Sequence, residues 1–430
     1  MVEKFTRVFR SGFFREAFLY LVFNILVAAV PFILLPIYTN KLTPADYGLF
    51  SIFVAGTNFI FPVVALGTSA AASRKYFDRE GIEFQAFFAC CLLVCLGMTF
   101  VAAIVAIPFL KYLSALTHLS GAWLMAMALT ALSQAITSNA AVLMTMQKRP
   151  WMYGVLRLCQ ALAIGGIGVW LVLGRSMAWE GAAYGHMWGN FAAATTGLIV
   201  LWRSRLLGKR ICWKYFKEIF LFGLPLVPHA MAAMTFTFVD RLFLTNMVGA
   251  KYTGIYVAGF QISMVIYLLM NSANQAWIPW IYGHLKSNNS HSQKKIVMAT
   301  YLGILGFLAA TGLFIFVAPA LVDLLVGKEF KDASAVVPWI SIGFFWVACY
   351  AMVTPYLYYL RRTSELAIIG VISAFANMGL NYVLISYNGW VGAAQATCIA
   401  YFISAVLTGV VAVRLYPMPW NMFKGYEATR

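Results

Sequence analysis

The sequence predicts an all-α integral membrane protein of about twelve transmembrane helices in two six-helix bundles, and three observations predict it. Hydrophobic residues make up 62% of the chain and charged residues only 10%, where a soluble domain carries roughly 45–50% and about 25%. Apolar runs of about 20 residues, enough helix to cross a hydrocarbon core of roughly 30 Å, recur along the whole chain between short polar breaks. The runs lack the alternation of a membrane barrel strand, and in lipid a continuous apolar segment satisfies its own backbone only as a helix.

Each span rests on its own stretch. The first, from near residue 15, holds Asn24, Pro31 and Pro36, and the second, from near 46, opens on "DYGLFSIF" and holds Asn58 and Pro62. The third, from near 84, is an apolar run with Cys90, Cys91 and Cys95, and the fourth, from near 119, carries Gln134 and Asn139. The fifth, from near 151, carries Arg157, and the sixth, from near 179, opens on "WEGAA". The seventh, from near 217, holds Pro225 and Pro228 and then "FTFVDRLFLTNMVG", which sets Asp240 beside Arg241 in an apolar run. The eighth, from near 252, runs from "YTGIYVAG" through "MNSANQAW" to Pro279, and the ninth begins near 295. The tenth, from near 334, holds Pro355; the eleventh, from near 364, holds Asn377 and Asn381; the twelfth, from near 389, opens on "WVGAA". A proline inside a helix removes a backbone donor and favours a kink. Pro31 and Pro36, with Pro225 and Pro228 in the equivalent seventh span, are therefore gate candidates, beside the plainer reading that proline is common in membrane helices.

The formal net charge of +17 would point to nucleic acid in a soluble protein, but its distribution follows topology. With the N-terminus inside, 23 of the 31 Lys and Arg fall in cytoplasmic segments, among them Lys4, Arg7, Arg10, Arg79, Lys209, Arg210, Lys424 and Arg430, and 6 fall outside. Only Arg157 and Arg241 remain within spans, and both termini are expected to be cytoplasmic. The first apolar segment outruns the short core of a cleavable signal peptide. Seven cysteines without C-x-x-C spacing and five scattered histidines give neither a disulfide framework nor a metal or cofactor site.

The long basic connection "WRSRLLGKRICWKYFK" divides the chain into bundles expected at 1–205 and 206–430, with a cytoplasmic linker at about 203–217. The halves align. "DYGLFSIF" matches "YTGIYVAG" through Gly48 and Gly254, an offset of 206, and "WEGAA" matches "WVGAA" through Gly181 and Gly392, an offset of 211. An even number of helices per half makes the repeats parallel, with a site expected at their interface.

Four stretches carry a family resemblance. "FNILVAAVPFILLPIYTNKLTPADYGLFSIF", "FGLPLVPHAMAAMTFTFVDRLFLTNMVGAKYTGIYVAG", "LVGKEFKDASAVVPWI" with Gly327, and "NMGLNYVLISYNGWVGAAQAT" occur in order over nearly the whole chain. Together they resemble the O-antigen and exopolysaccharide repeat-unit flippases of the multidrug/oligosaccharidyl-lipid/polysaccharide superfamily. The resemblance implies an alternating-access carrier in a bacterial cytoplasmic membrane that moves a polyprenyl-pyrophosphate-linked oligosaccharide to the outer leaflet. It also implies working neighbours in a polysaccharide polymerase and chain-length machinery, besides membrane lipids.

Flipping a sugar and a pyrophosphate through hydrocarbon needs hydrogen-bonding side chains and positive charge in a wet cavity. Arg241, Asp240 and Arg157 are the charged candidates, with an ion pair or interfacial anchor as the alternative for the first two and snorkelling for the third. Asp240, the one acidic residue clearly within a span, is the candidate for a coupled proton or sodium ion. Asn271, Asn274 and Gln275 share a helical face by their spacing and are the strongest amide candidates for a cavity wall, followed by Asn24, Asn377 and Asn381. The bland role of such amides is to join helices. A cation-coupled multidrug exporter of the same superfamily is the first rival reading and wants buried carboxylates. A multispanning polymerase or ligase is the second, and the chain shows no paired carboxylates suited to acid/base work.

Overall fold

The computed structural model describes residues 12–77, 83–206, 208, 211–287 and 289–420; the basic residues Lys4, Arg7, Arg10, Arg79, Lys209, Arg210, Lys424 and Arg430 lie outside them. Among the described residues every regular element is helical. The chain runs through α1 (Gly12–Lys41), α2 (Pro44–Ala65), the short α3 (Thr68–Phe77) and α4 (Phe84–Ala106), which continues by one 3₁₀ turn into α5 (Leu110–Thr117). Next come α6 (Gly121–Met146), α7 (Pro150–Val169), ending in a π turn at Trp170–Gly174, α8 (Trp179–Arg203), α9 (Trp213–Gly223) and α10 (Leu226–Met247). The rest is α11 (Ala250–Ser287), α12 (Ser290–Leu325), a 3₁₀ segment at Lys328–Ala335, α13 (Val337–Tyr359), α14 (Thr363–Asn388) and α15 (Val391–Leu415).

Among the described residues ten spans, with α4 and α5 joined as one, are long and apolar enough to cross a membrane. Two further helices, α8 of 25 residues and α10 of 22, have the length at about 1.5 Å per residue but are less apolar. They complete the twelve, and they carry His186 and Asn190 in the one, Asp240 and Arg241 in the other. The seventh predicted span is corrected in one respect: it is two helices, not one. Leu224 and Pro225 form a turn between α9 and α10, because proline offers no backbone donor and disfavours helical geometry in the residue before it.

Local signals set the helix ends. Pro44 opens α2, and Thr43 caps it, its hydroxyl accepting from the Asp46 backbone nitrogen at 3.2 Å. Leu66 and Gly67 take left-handed backbone after α2 and turn the chain into α3. Asn289 caps α12 by accepting from the Ser292 nitrogen at 2.7 Å.

The chain divides into two compact units, Met1–Leu242 and Phe243–Arg430. In the first, α2 packs on α6, α6 on α8, and α7 on α8; in the second, α11 packs on α13, α13 on α15, and α14 on α15. These three pairs follow the same order in both units. Phe87, Phe88, Cys90, Cys91, Leu143 and Ile219 centre one core of the first unit, where the thiols fill space as small apolar groups. Ile281, Leu285, Val297, Tyr356 and Leu357 centre that of the second.

Between membrane helices the hydrophobic effect supplies little, because lipid is as apolar as leucine, so close backbone approach matters more. The sixth span shows it. Gly181, Gly185, Gly189 and Gly197 recur at multiples of four along α8. A Cβ on Gly185 would fall on the backbone of Gly168 in α7, and one on Gly189 would lie 2.5 Å from the Ile164 nitrogen. These two helices touch main chain to main chain.

Candidate functional site

The tight α7–α8 seam brings together polar side chains that lie far apart in sequence. Arg157 Nη1 donates to Gln160 Oε1 at 2.8 Å, and Gln160 Nε2 donates to Asn190 Oδ1 across the seam at 2.8 Å. Asn190 Nδ2 in turn donates to the His186 carbonyl at 2.7 Å. The His186 ring lies 3.4 Å from Gln134 Nε2 of α6 and meets the Phe53 ring of α2 edge to face. Three helices of the first unit, α6, α7 and α8, thus contribute polar side chains to one cluster, and Phe53 of α2 flanks it. Gln160 and Asn190 are buried and Arg157 half-buried. Helical rise puts Arg157 about 10 Å and Gln160 about 15 Å from the start of α7, so Gln160 sits near mid-span. Among the described residues no carboxylate pairs with Arg157. A cation in a span without a counter-charge is costly unless a ligand or water supplies one.

Of this cluster, Arg157 is a sequence candidate and Gln134 an amide noted in the fourth span, while Gln160, His186 and Asn190 are not among the sequence candidates. Two faint signals pointed to them. Gln160 lies one turn beyond Arg157, and His186 and Asn190 repeat at four residues on the one span whose glycines demand close packing.

Arg241 reaches a different place. Its Nη1 donates to the Ser51 carbonyl of α2 at 2.7 Å, and Phe238, one turn earlier, stacks on Phe59 with ring centres 4.9 Å apart. Arg241 therefore ties α10 to α2 inside the first unit. Asp240 is 1% exposed, and successive helical residues diverge by about 100°, so the two neighbours point to different surroundings.

Asn24 is exposed on α1 and accepts from the Tyr153 hydroxyl of α7 at 3.0 Å. Asn271 and Asn274 are half-buried and Gln275 exposed on one face of α11; Asn274 Oδ1 has no protein partner among the described residues. Asn377 and Asn381 are fully buried on α14, where Asn381 Nδ2 donates to the Asn377 carbonyl at 2.9 Å. Both polar atoms of the Asn377 side chain lack a partner among the described residues. Pro31 and Pro36 lie inside α1, which continues through both; Pro225 sits in the α9–α10 turn and Pro228 in the first turn of α10.

Residues 13–283 match the family described as polysaccharide biosynthesis protein. The chain belongs to that family. It is 24% identical over 296 residues to a Haemophilus influenzae protein of the Lsg locus, an alignment covering 66% of this chain and 68% of the relative. It is 23% identical over 192 residues to the capsular polysaccharide biosynthesis protein CapF of Staphylococcus aureus, covering 44% of this chain and 48% of that one. Its fold is that of two kinds of solved transporter. The lipid II flippase MurJ, in an inward closed conformation, superposes with a TM-score of 0.76 at 14% identity, over 92% of this chain and 87% of that one. A multidrug resistance MATE family transporter of the MOP superfamily, in an inward-facing conformation, gives 0.71 at 14% identity over 92% and 94%. This family member is thus a multi-pass, all-helical membrane protein.

Proposed function

We propose that the chain is a flippase that carries polyprenyl-pyrophosphate-linked oligosaccharide repeat units from the cytoplasmic to the outer leaflet of a bacterial cytoplasmic membrane. It works by alternating access with both termini inside, and it serves surface polysaccharide synthesis. The observation that carries this reading is Arg157: a half-buried guanidinium within a span, held by a neutral amide at 2.8 Å and without a carboxylate partner among the described residues. Such a group attracts an anion, and a pyrophosphate is the anion a lipid-linked sugar brings into a membrane. Membership in a polysaccharide biosynthesis family supports a saccharide cargo, and the fold shared with transporters supports carriage in place of catalysis. Exposed Asn24 and Gln275, with half-buried Asn271 and Asn274, are candidate partners for sugar hydroxyls.

The test is translocation of a lipid-linked oligosaccharide in proteoliposomes, read by protection of the glycan from an external sugar-modifying enzyme. Protein-dependent change in accessibility is expected, and imposed proton or sodium gradients test coupling. No change with several repeat units, together with gradient-driven efflux of a cationic dye, would instead establish the exporter reading, for which the buried Asp240 is the group to examine.

A further inference from the structure

The hydrogen-bond chain behind Arg157 has a direction, and chemistry sets it. Arginine only donates, so the atom Gln160 turns toward Arg157 must be its carbonyl oxygen, 2.8 Å away. Its amide nitrogen then faces Asn190, which must offer oxygen, again at 2.8 Å. The Asn190 nitrogen is left for the His186 carbonyl one turn back, at 2.7 Å. Flipping either amide alone would set donor against donor or acceptor against acceptor, so the positive end fixes both orientations. Gln160 and Asn190 are 8% and 1% exposed, so water does not compete for these bonds.

A neutral acceptor orients a guanidinium without neutralising it. A glutamate at 160 would still accept from Arg157 but would cancel its charge, and it could no longer donate to Asn190. The chain has used the uncharged isostere and backed it with a second amide anchored to main chain. We infer that Gln160 and Asn190 are positioning residues that aim Arg157, as an uncompensated cation, at a phosphate or pyrophosphate ester. The planar fork of arginine suits such a group in two-point contact. The choice of a lipid-linked pyrophosphate over a phospholipid headgroup rests on the flippase reading above.

Gln160→Glu separates this role from a merely structural one. The bond from Arg157 survives the change as an ion pair, the donation to Asn190 is lost, and an anion site is filled from within. The full chain in phosphatidylcholine nanodiscs is titrated with a polyprenyl pyrophosphate, with the matching polyprenol, and with phosphatidylglycerol as competitor. The parent is expected to bind the pyrophosphate at least tenfold more tightly than the polyprenol. Gln160→Glu is expected to lose at least tenfold in that affinity while the variant still unfolds cooperatively on heating, and Arg157→Lys to lose less. Binding by Gln160→Glu within twofold of the parent overturns the inference. If that variant does not fold, Gln160→Leu is read instead: the charge stays but its orientation goes, so weakened preference for pyrophosphate supports the inference and unchanged preference overturns it. Equal competition by phosphatidylglycerol overturns the pyrophosphate assignment. The flippase reading fails separately, if the parent binds the pyrophosphate normally yet moves no lipid-linked sugar in the proteoliposome assay.

Discussion

In the first unit α7 and α8 close on each other through Gly168, Gly185 and Gly189; in the second, α14 and α15 form the corresponding pair, with Gly392 set against the backbone of Leu384. Both pairs begin their second helix on the repeated "W-x-G-A-A" stretch. Their polar content differs. The α7–α8 seam holds a directed chain from Arg157 to the His186 carbonyl. On α14 the only charged residue is Glu365 in the first turn, and Asn381 Nδ2 donates to the Asn377 carbonyl of the same helix. A close-packed helix pair is thus a scaffold that either half can build, whereas an ordered amide relay needs a charge at one end to give it direction. The 211-residue offset between the repeats puts Ile368 and Val371 where the first unit has Arg157 and Gln160, which leaves that scaffold without its charge in the second unit.

The most severe way to break the comparison is at the scaffold itself. Gly185→Ala places a methyl group on the Gly168 backbone, and overpacking of this kind is expected to cost about 3 kcal/mol. Gly370→Ala on α14 meets open space and should leave the midpoint of thermal unfolding within a degree or so, since a surface change costs under about 0.5 kcal/mol. Equal midpoints for the two variants would show that the close approach does not hold the first unit together.

The functional half of the contrast is sharpened by Arg157→Gln against Asn377→Leu. Arg157→Gln is expected to reduce translocation at least tenfold, about 1.4 kcal/mol or more in the rate-limiting step, with protein abundance unchanged. Asn377→Leu replaces a fully buried amide whose polar atoms lack partners among the described residues. It should leave translocation within twofold and raise stability by about 1 kcal/mol. A large transport loss in Asn377→Leu would give α14 a substrate-facing role and end the asymmetry between the two helix pairs.

Arg241 lies between these extremes because it joins helices and carries charge. Arg241→Ala removes the bond to the Ser51 carbonyl and is expected to lower translocation several-fold while costing about 2 kcal/mol, with Arg241→Lys retaining part of both. Unchanged transport at normal abundance would leave it as an anchor alone. The smallest effect is expected at the α2 cap, where Thr43→Ala loses the bond to the Asp46 nitrogen and about 1 kcal/mol of stability, read by thermal unfolding, with transport intact.

Most of the fold was legible in the sequence. Eleven of the twelve spans begin within a few residues of where hydropathy alone starts them. The exception, the seventh, differs only in continuity: it breaks at Leu224 and Pro225, and hydropathy averaged over a window does not register one missing donor. The site was less legible. Arg157 stood out because a charge in an apolar run is conspicuous, while Gln160 and Asn190 did not, since isolated amides occur in many spans and mostly join helices. The amide cluster at Asn271, Asn274 and Gln275 is more conspicuous in sequence because its members share one helical face, a property that needs no partner helix.

The sequence by itself determined that this chain spans a membrane many times as helices, repeats itself once, and carries two arginines where lipid would exclude them. Those features are local: hydropathy, period and composition are properties of a single segment. Only the tertiary structure decided that one arginine is oriented by uncharged amides and the other spent on a carbonyl of α2. Which side chains meet across the α7–α8 seam depends on helix register, and register is set by where glycines allow two backbones to touch, a relation between positions 17 to 30 residues apart that no single segment records.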